Sequence, residues 1–264
     1  MTTARDEHRL KTVEQLAWQL CRLERSRCES AGRRQVVSTG LKVLDRLLPD
    51  GGLTGGTLLE WLATTEGSGA ATLVLLLAGR FLGRESLATP QPLIIIDSRK
   101  DFYPPAAAGL GIDLDRTFVV RPESAADALW ALEQSLRCRG VAATLAWIDR
   151  VDGRASRRLK LAVEAGGGLG LLLRPGRCLR TTSCADARLL VRPVPSPRAA
   201  TRRVLRSESN PPSSRRRLQI ELLRSRKGHV VEALQLELSD ETPGVLRVAS
   251  SVADPAPADR AAEA

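Results

Sequence analysis

The stretch EWLATTEGSGAATLVLLLAGRF, residues 60–81, runs from an apolar strand through a Gly/Ser turn into a long apolar helix. That is the outline of a phosphate-binding loop, where backbone N–H groups at a helix N-terminus face an anion. A working GxxxxGK[ST] loop also needs a lysine for the β- and γ-phosphates and a hydroxyl for Mg²⁺. With Gly69 as the second motif glycine, Thr64 stands at the first glycine, Ala70 at the lysine and Ala71 at the hydroxyl. Glu66, Gly67, Ser68 and Gly69 still suit a tight turn that holds an anion weakly. Without the lysine and the metal-holding hydroxyl, hydrolysis loses its main charge stabilisation. The stretch therefore reads as a degenerate nucleotide loop that serves as a structural turn.

Outward from this loop, strands and helices alternate. Residues 56–62 (GTLLEWL) and 92–97 (PLIIID) are short, wholly apolar runs, as buried parallel strands should be. FVVRP (118–122) reads as a strand. Residues 123–140 read as a helix, with Ser124 and Asp127 spaced as a capping box and Gly140 as the stop. ATLAWID (143–149) is a strand ending in a carboxylate, 153–168 a helix, and LGLLLRP (169–175) and ARLLVRP (187–193) strands. The alternation predicts an α/β fold, a mostly parallel central sheet with helices on both faces, over a core of residues 33–193. Residues 194–214 form a Pro/Ser/Arg linker without apolar period. Over 215–252, RRLQIELLR and VVEALQLEL alternate apolar with polar around Gly228, which predicts a C-terminal antiparallel hairpin completing the sheet, with GVLRVAS as one more strand. The Pro/Ala-rich tail, 253–264, reads as disordered. At the other end, within residues 1–32, Leu10, Val13, Leu16, Leu20 and Leu23 recur at helical spacing and predict an amphipathic N-terminal helix.

At 43% apolar and 27% charged, the 264-residue composition is that of an ordinary globular chain. No run approaches the about 18 apolar residues of a membrane span, and the charged N-terminus lacks an apolar signal region. Five cysteines at irregular spacing and two histidines outside any cluster argue against a disulfide framework or a metal site. A cytoplasmic location is expected. The net charge of +10 is concentrated: residues 198–227 carry ten basic and two acidic side chains. Such a concentration suits a polyanion or an acidic partner, and equally a solvated linker from an arginine-rich genome.

The segment VVSTGLKVLDRLLPDGGLTGGTLLEW, then the loop, then IIIDSRKDFYPPAAAGLGIDLDR and AWID resemble RecA in order. The matching positions include Ser38, Thr39, Gly40, Leu44, Asp45, Gly51, Gly52, Leu53, Glu60 and the block 109–116, with Asp149 at the Walker B carboxylate. The resemblance covers roughly residues 36–193 and implies a RecA-like P-loop fold. At the position of the RecA-like catalytic glutamate stands Arg99. Lysine, hydroxyl and glutamate are thus absent together, so no catalytic residue is assigned and no cofactor is expected beyond weak or vestigial ATP binding.

Within that superfamily, RRLKLAVEAGGGLGLLLRP (157–175) and LQIELLRSRKG (218–228) are similar to the ImuA family. Membership implies a non-catalytic accessory protein of error-prone translesion synthesis, part of SOS mutagenesis and the DNA-damage response, nucleoid-associated when active. The implied partners are an ImuB-like Y-family polymerase homologue, RecA and an error-prone replicative-type polymerase. Two alternatives stay open: a DNA-dependent ATPase of the RecA type and a SulA-like cell-division inhibitor.

By the same resemblance, the loops after AWID and LLLRP face DNA. They hold Arg150, Arg154 and Arg157, and Arg174, Arg177 and Arg180, as candidate contacts to single-stranded DNA. Neither loop has an aromatic residue for base stacking, so binding would be electrostatic, each neutralised phosphate adding about 0.7 to the salt slope. The stripe Leu10, Val13, Leu16, Leu20 and Leu23 is the candidate partner-binding face.

Overall fold

Apolar runs bounded by glycine become strands, and the longer periodic segments between them become helices, over the residues that the computed structural model describes: 35–83, 90–194, 216–226, 233–238 and 246–252. The expected N-terminal helix with Leu10, Val13, Leu16, Leu20 and Leu23, the linker beyond Val194 and the tail lie outside these residues. The chain opens with β1 (Val36–Val37) and β2 (Leu53–Thr54), an antiparallel pair around α1 (Lys42–Leu47). Asp45 builds the turn into α1: its carboxylate accepts from Ser38 Oγ at 2.6 Å and from the Thr39 N–H at 2.7 Å. The Ser-Thr-Gly…Asp motif is therefore a turn device.

The alternating part follows as β3 (Thr57–Ala63), α2 (Ala70–Leu82), β4 (Leu93–Asp97), α3 (Pro104–Gly109), β5 (Thr117–Val120) and α4 (Ala125–Arg137). It continues with β6 (Ala143–Trp147), α5 (Gly153–Gly166), β7 (Leu169–Pro175) and, after a 3₁₀ turn over Gly176–Arg180, β8 (Ala187–Val194). Then come β9 (Arg216–Ser225), β10 (Ala233–Leu238) and β11 (Leu246–Val252). Among the described residues the main sheet runs β11-β10-β9-β8-β3-β7-β6-β4-β5. From β8 to β5 neighbours are parallel; from β8 to β11 they are antiparallel. The α/β class, the mostly parallel sheet and the antiparallel C-terminal strands are as the sequence pattern predicts.

Central β3 has both faces covered. Leu59 and Trp61 pack in a layer with α1, α2 and the inner residues of β9 and β10, whereas Leu58 packs with α4 and α5. β9 buries only Leu218, Ile220 and Leu222, every second residue, because one of its faces meets the core. α2 starts at Gly69 without a side-chain cap. Glycine in place of a side-chain cap costs about a few tenths of a kcal/mol, while each of the buried Leu73, Val74, Leu76, Leu77 and Phe81 contributes about 1.5–3 kcal/mol. Burial decides the helix.

Several boundaries shift by a few residues from the sequence reading, and two of the shifts matter here. α4 is capped by Ser124 as expected, its Oγ accepting from the Asp127 N–H at 3.1 Å, but it ends at Arg137 rather than at Gly140. Cys138 turns extended and is buried, and a Val141 N–H to Cys138 carbonyl bond of 3.2 Å makes the turn that feeds β6. β6 itself ends at Trp147, which leaves Asp149 in the loop beyond the strand. Gly166 permits the close approach of α5 to α4, since a Cβ there would lie 2.0 Å from the Leu136 carbonyl oxygen.

Candidate functional site

In a parallel sheet the loops that leave the C-terminal strand ends gather on one rim. Here they follow β3, β4, β6 and β7. The loop after β3 is a turn with two left-handed glycines, Gly67 (φ 74°) and Gly69 (φ 84°). It is fixed from both sides. Thr64 donates its N–H to the Val191 carbonyl of β8 at 3.2 Å. Gly69 lies against Leu218 of β9, whose Cδ2 would be 2.7 Å from an added Cβ. Ser68 is buried, and Ala70, at the lysine position, is 1% exposed in the same apolar cluster as Leu73 and Leu218. Ala71 packs partly buried against that cluster. Glu66 points outward, its side chain 96% exposed.

Across the rim, Asp149 is held by two guanidinium groups. Arg99 Nη2 donates to Asp149 Oδ1 at 2.9 Å, and Arg177 Nη2 donates to Oδ2. Arg99 Nη1 also lies 3.7 Å from Glu66 Oε1. The hydrogen bond to Asp149 holds the Arg99 guanidinium above its usual pKa, against the opposing effect of burial. Each carboxylate oxygen of Asp149 thus faces a guanidinium. A guanidinium at residue 99 cannot accept a proton from water. Asp97, one strand end away, is fully buried and accepts from the Asp101 and Phe102 N–H groups at 3.0 and 3.3 Å, as a turn-builder does.

The two arginine-bearing loops lie side by side. Cys178 Sγ donates to the Asp149 carbonyl at 3.1 Å, and the Cys184 N–H donates to Ser156 Oγ at 2.7 Å. Arg150 is exposed in the loop after β6, and Arg154 and Arg157 are exposed on the first turns of α5 rather than in that loop. Arg180 is exposed at the end of the 3₁₀ turn, and Arg177 is exposed while bound to Asp149. Arg174 is different. Its side chain is 2% exposed and pairs with Glu60 Oε1 at 2.8 Å, so it does not present itself to an outside phosphate. It leaves the set of candidate DNA contacts because a fully buried carboxylate claims it first. Among the described residues no group of three or more His, Cys, Asp or Glu could hold a metal ion, and no helix is long and apolar enough to cross a membrane.

The sequence reading gave Glu60 no role and missed Arg188, which also pairs with it. A signal was present. Each is a charged residue inside a strand that is otherwise apolar, and such a charge needs a partner.

No family model matches the chain. Over 174 residues, 61% of this chain and 70% of the relative, it is 33% identical to the protein named ImuA in Caulobacter vibrioides, with the same figures in two strains. It is 34% identical over 107 residues to RecA of Chlorobaculum tepidum, covering 40% of this chain and 29% of that one. It is 28% identical over 78 residues to the cell division inhibitor SulA of Photorhabdus laumondii, covering 30% and 44%.

Proposed function

The chain belongs to the ImuA family, and from that premise we propose that it is a non-catalytic, RecA-like accessory protein of error-prone translesion synthesis in the SOS response. It acts in the cytoplasm, at the nucleoid when active. It works by contact: with an ImuB-like Y-family polymerase homologue, with RecA, with an error-prone replicative-type polymerase, and with single-stranded DNA along Arg150, Arg154, Arg157, Arg177 and Arg180. It needs no cofactor.

The observation that carries this reading is the occupation of Asp149 by Arg99 and Arg177. In nucleotide hydrolysis that carboxylate serves the metal, and a lysine meets the phosphates. In this chain guanidinium groups stand at the carboxylate, and Ala70 at the lysine position is packed into the core. The loop after β3 is thereby a degenerate Walker A loop that works as a turn. A DNA-dependent ATPase of the RecA type finds no support in this geometry.

A division inhibitor of the SulA type is the second reading, favoured by the similarity over 78 residues. One experiment separates the two. Tagged full-length protein is recovered from damage-induced cells and the bound proteins are identified. Recovery of the Y-family homologue or the error-prone polymerase is expected; recovery of a cell-division protein in their place contradicts the proposal.

A further inference from the structure

Glu60 matches a position of the RecA-like pattern, yet neither the loop turn nor the Asp149 pair uses it. It sits in β3, the middle strand of the main sheet, with its side chain fully buried. Two arginines converge on it. Arg174 Nη1 donates to Glu60 Oε1 at 2.8 Å, and Arg188 Nη2 donates to the same oxygen at 3.2 Å. Arg188 Nε lies 3.2 Å from Glu60 Oε2. Arg188 stands directly beside Glu60 in the β3–β8 register, and Arg174 lies two residues further along β7.

The remaining guanidinium donors go to loop backbone. Arg174 Nη2 donates to the Asp149 carbonyl at 3.1 Å, in the loop after β6. Arg188 Nη2 reaches the Cys178 carbonyl at 2.9 Å, and its Nη1 reaches the Thr181 and Leu179 carbonyls at 3.1 and 3.3 Å, in the segment after β7. A buried ion pair of this kind is a poor source of stability, since apolar residues of similar volume often serve as well. What apolar residues cannot do is collect four carbonyl groups from two loops. The planar fork of arginine can.

We infer that Glu60 is a positioning residue: through Arg174 and Arg188 it holds the two arginine-bearing loops as one rigid surface. The consequence for phosphate binding rests on the proposed role of those loops, while the positioning itself does not. The test uses the full chain and two variants, Glu60→Gln and Arg188→Lys. Arg188→Lys keeps the charge opposite Glu60 but loses the fork.

Amide hydrogen exchange under native conditions is followed over residues 148–158 and 176–186, with 70–82 and 93–97 as controls. Glu60→Gln is expected to raise exchange by about ten-fold or more in both loops through local opening that added urea does not change, while the controls rise only in step with the lower global stability. Arg188→Lys is expected to do so over 176–186. Exchange that stays at the wild-type level in the loops, or that rises there only with the urea dependence of the controls, overturns the inference. Should Glu60→Gln fail to fold, the Arg188→Lys result decides.

A second arm measures binding of fluorescein-labelled oligo(dT) against salt. Removing a negative charge should by itself strengthen binding to a polyanion. A weaker affinity and a shallower salt slope in Glu60→Gln are expected, opposite in sign to the charge change. If wild-type protein does not bind oligo(dT), the phosphate-contact reading of the loops fails, and the exchange result still stands or falls alone. If wild type binds and the variant binds more tightly, the positioning role is overturned.

Discussion

Glu60 and Asp149, like Glu133 beside Arg137 and Arg158, are each held by two arginines, and Glu60 and Asp149 differ in almost everything else. Glu60 is fully buried within the sheet, between Arg174 and Arg188 at 2% and 10% side-chain exposure. Asp149 stands on the rim at 38% exposure, between Arg99 at 32% and Arg177 at 68%. The same set of charges therefore acts in two dielectrics. In the interior, loss of one partner strands the others without water. On the rim, water and salt replace a lost partner cheaply. The buried set is expected to govern shape, the rim set to govern which ions and partners approach.

The largest effect should come from Glu60→Gln, which strands two guanidinium groups in the interior and is expected to lower unfolding free energy by about 3–5 kcal/mol. Urea denaturation measures it, and the loss should persist at high salt. A loss under about 1 kcal/mol would erase the distinction between the two sets. An intermediate effect is expected at the loop. Gly69→Ala forces a side chain into a left-handed conformation, at about 1–2 kcal/mol, and sets its Cβ 2.7 Å from Leu218. The Leu218→Ala background should relieve the clash and leave the backbone share. The smallest effect belongs to Asp149→Asn, expected to change stability by less than about 1 kcal/mol, with the difference fading as salt screens the rim. A large, salt-insensitive loss there would place Asp149 with Glu60 instead.

The strands and helices were legible because their signals are local. GTLLEWL and PLIIID are too apolar and too short for anything but buried strands, and Ser124 with Asp127 marks a helix start within four residues. The stop of α4 was misplaced because Cys138, not Gly140, makes the turn, and the burial of Cys138 is a tertiary matter. The small side chains of the loop were legible residue by residue, since Ala70 and Ala71 are read directly, and both pack with the core cluster. The pairing of Glu60 was not. Its partners lie 114 and 128 residues away in sequence, and only the strand order brings β3, β7 and β8 together. Arg174 looked like a loop arginine because it precedes a proline at a strand end, and the same long-range pairing withdraws it from the surface. The tie between Arg99 and Asp149, fifty residues apart, likewise needs β4 and β6 to be neighbours.

The most direct test of a scaffold without nucleotide chemistry is ATP turnover by the purified full-length protein, with and without single-stranded DNA, beside Asp149→Ala. The expected result is no turnover above that of the variant, in either condition. Turnover that DNA stimulates and Asp149→Ala abolishes would contradict the account at its root.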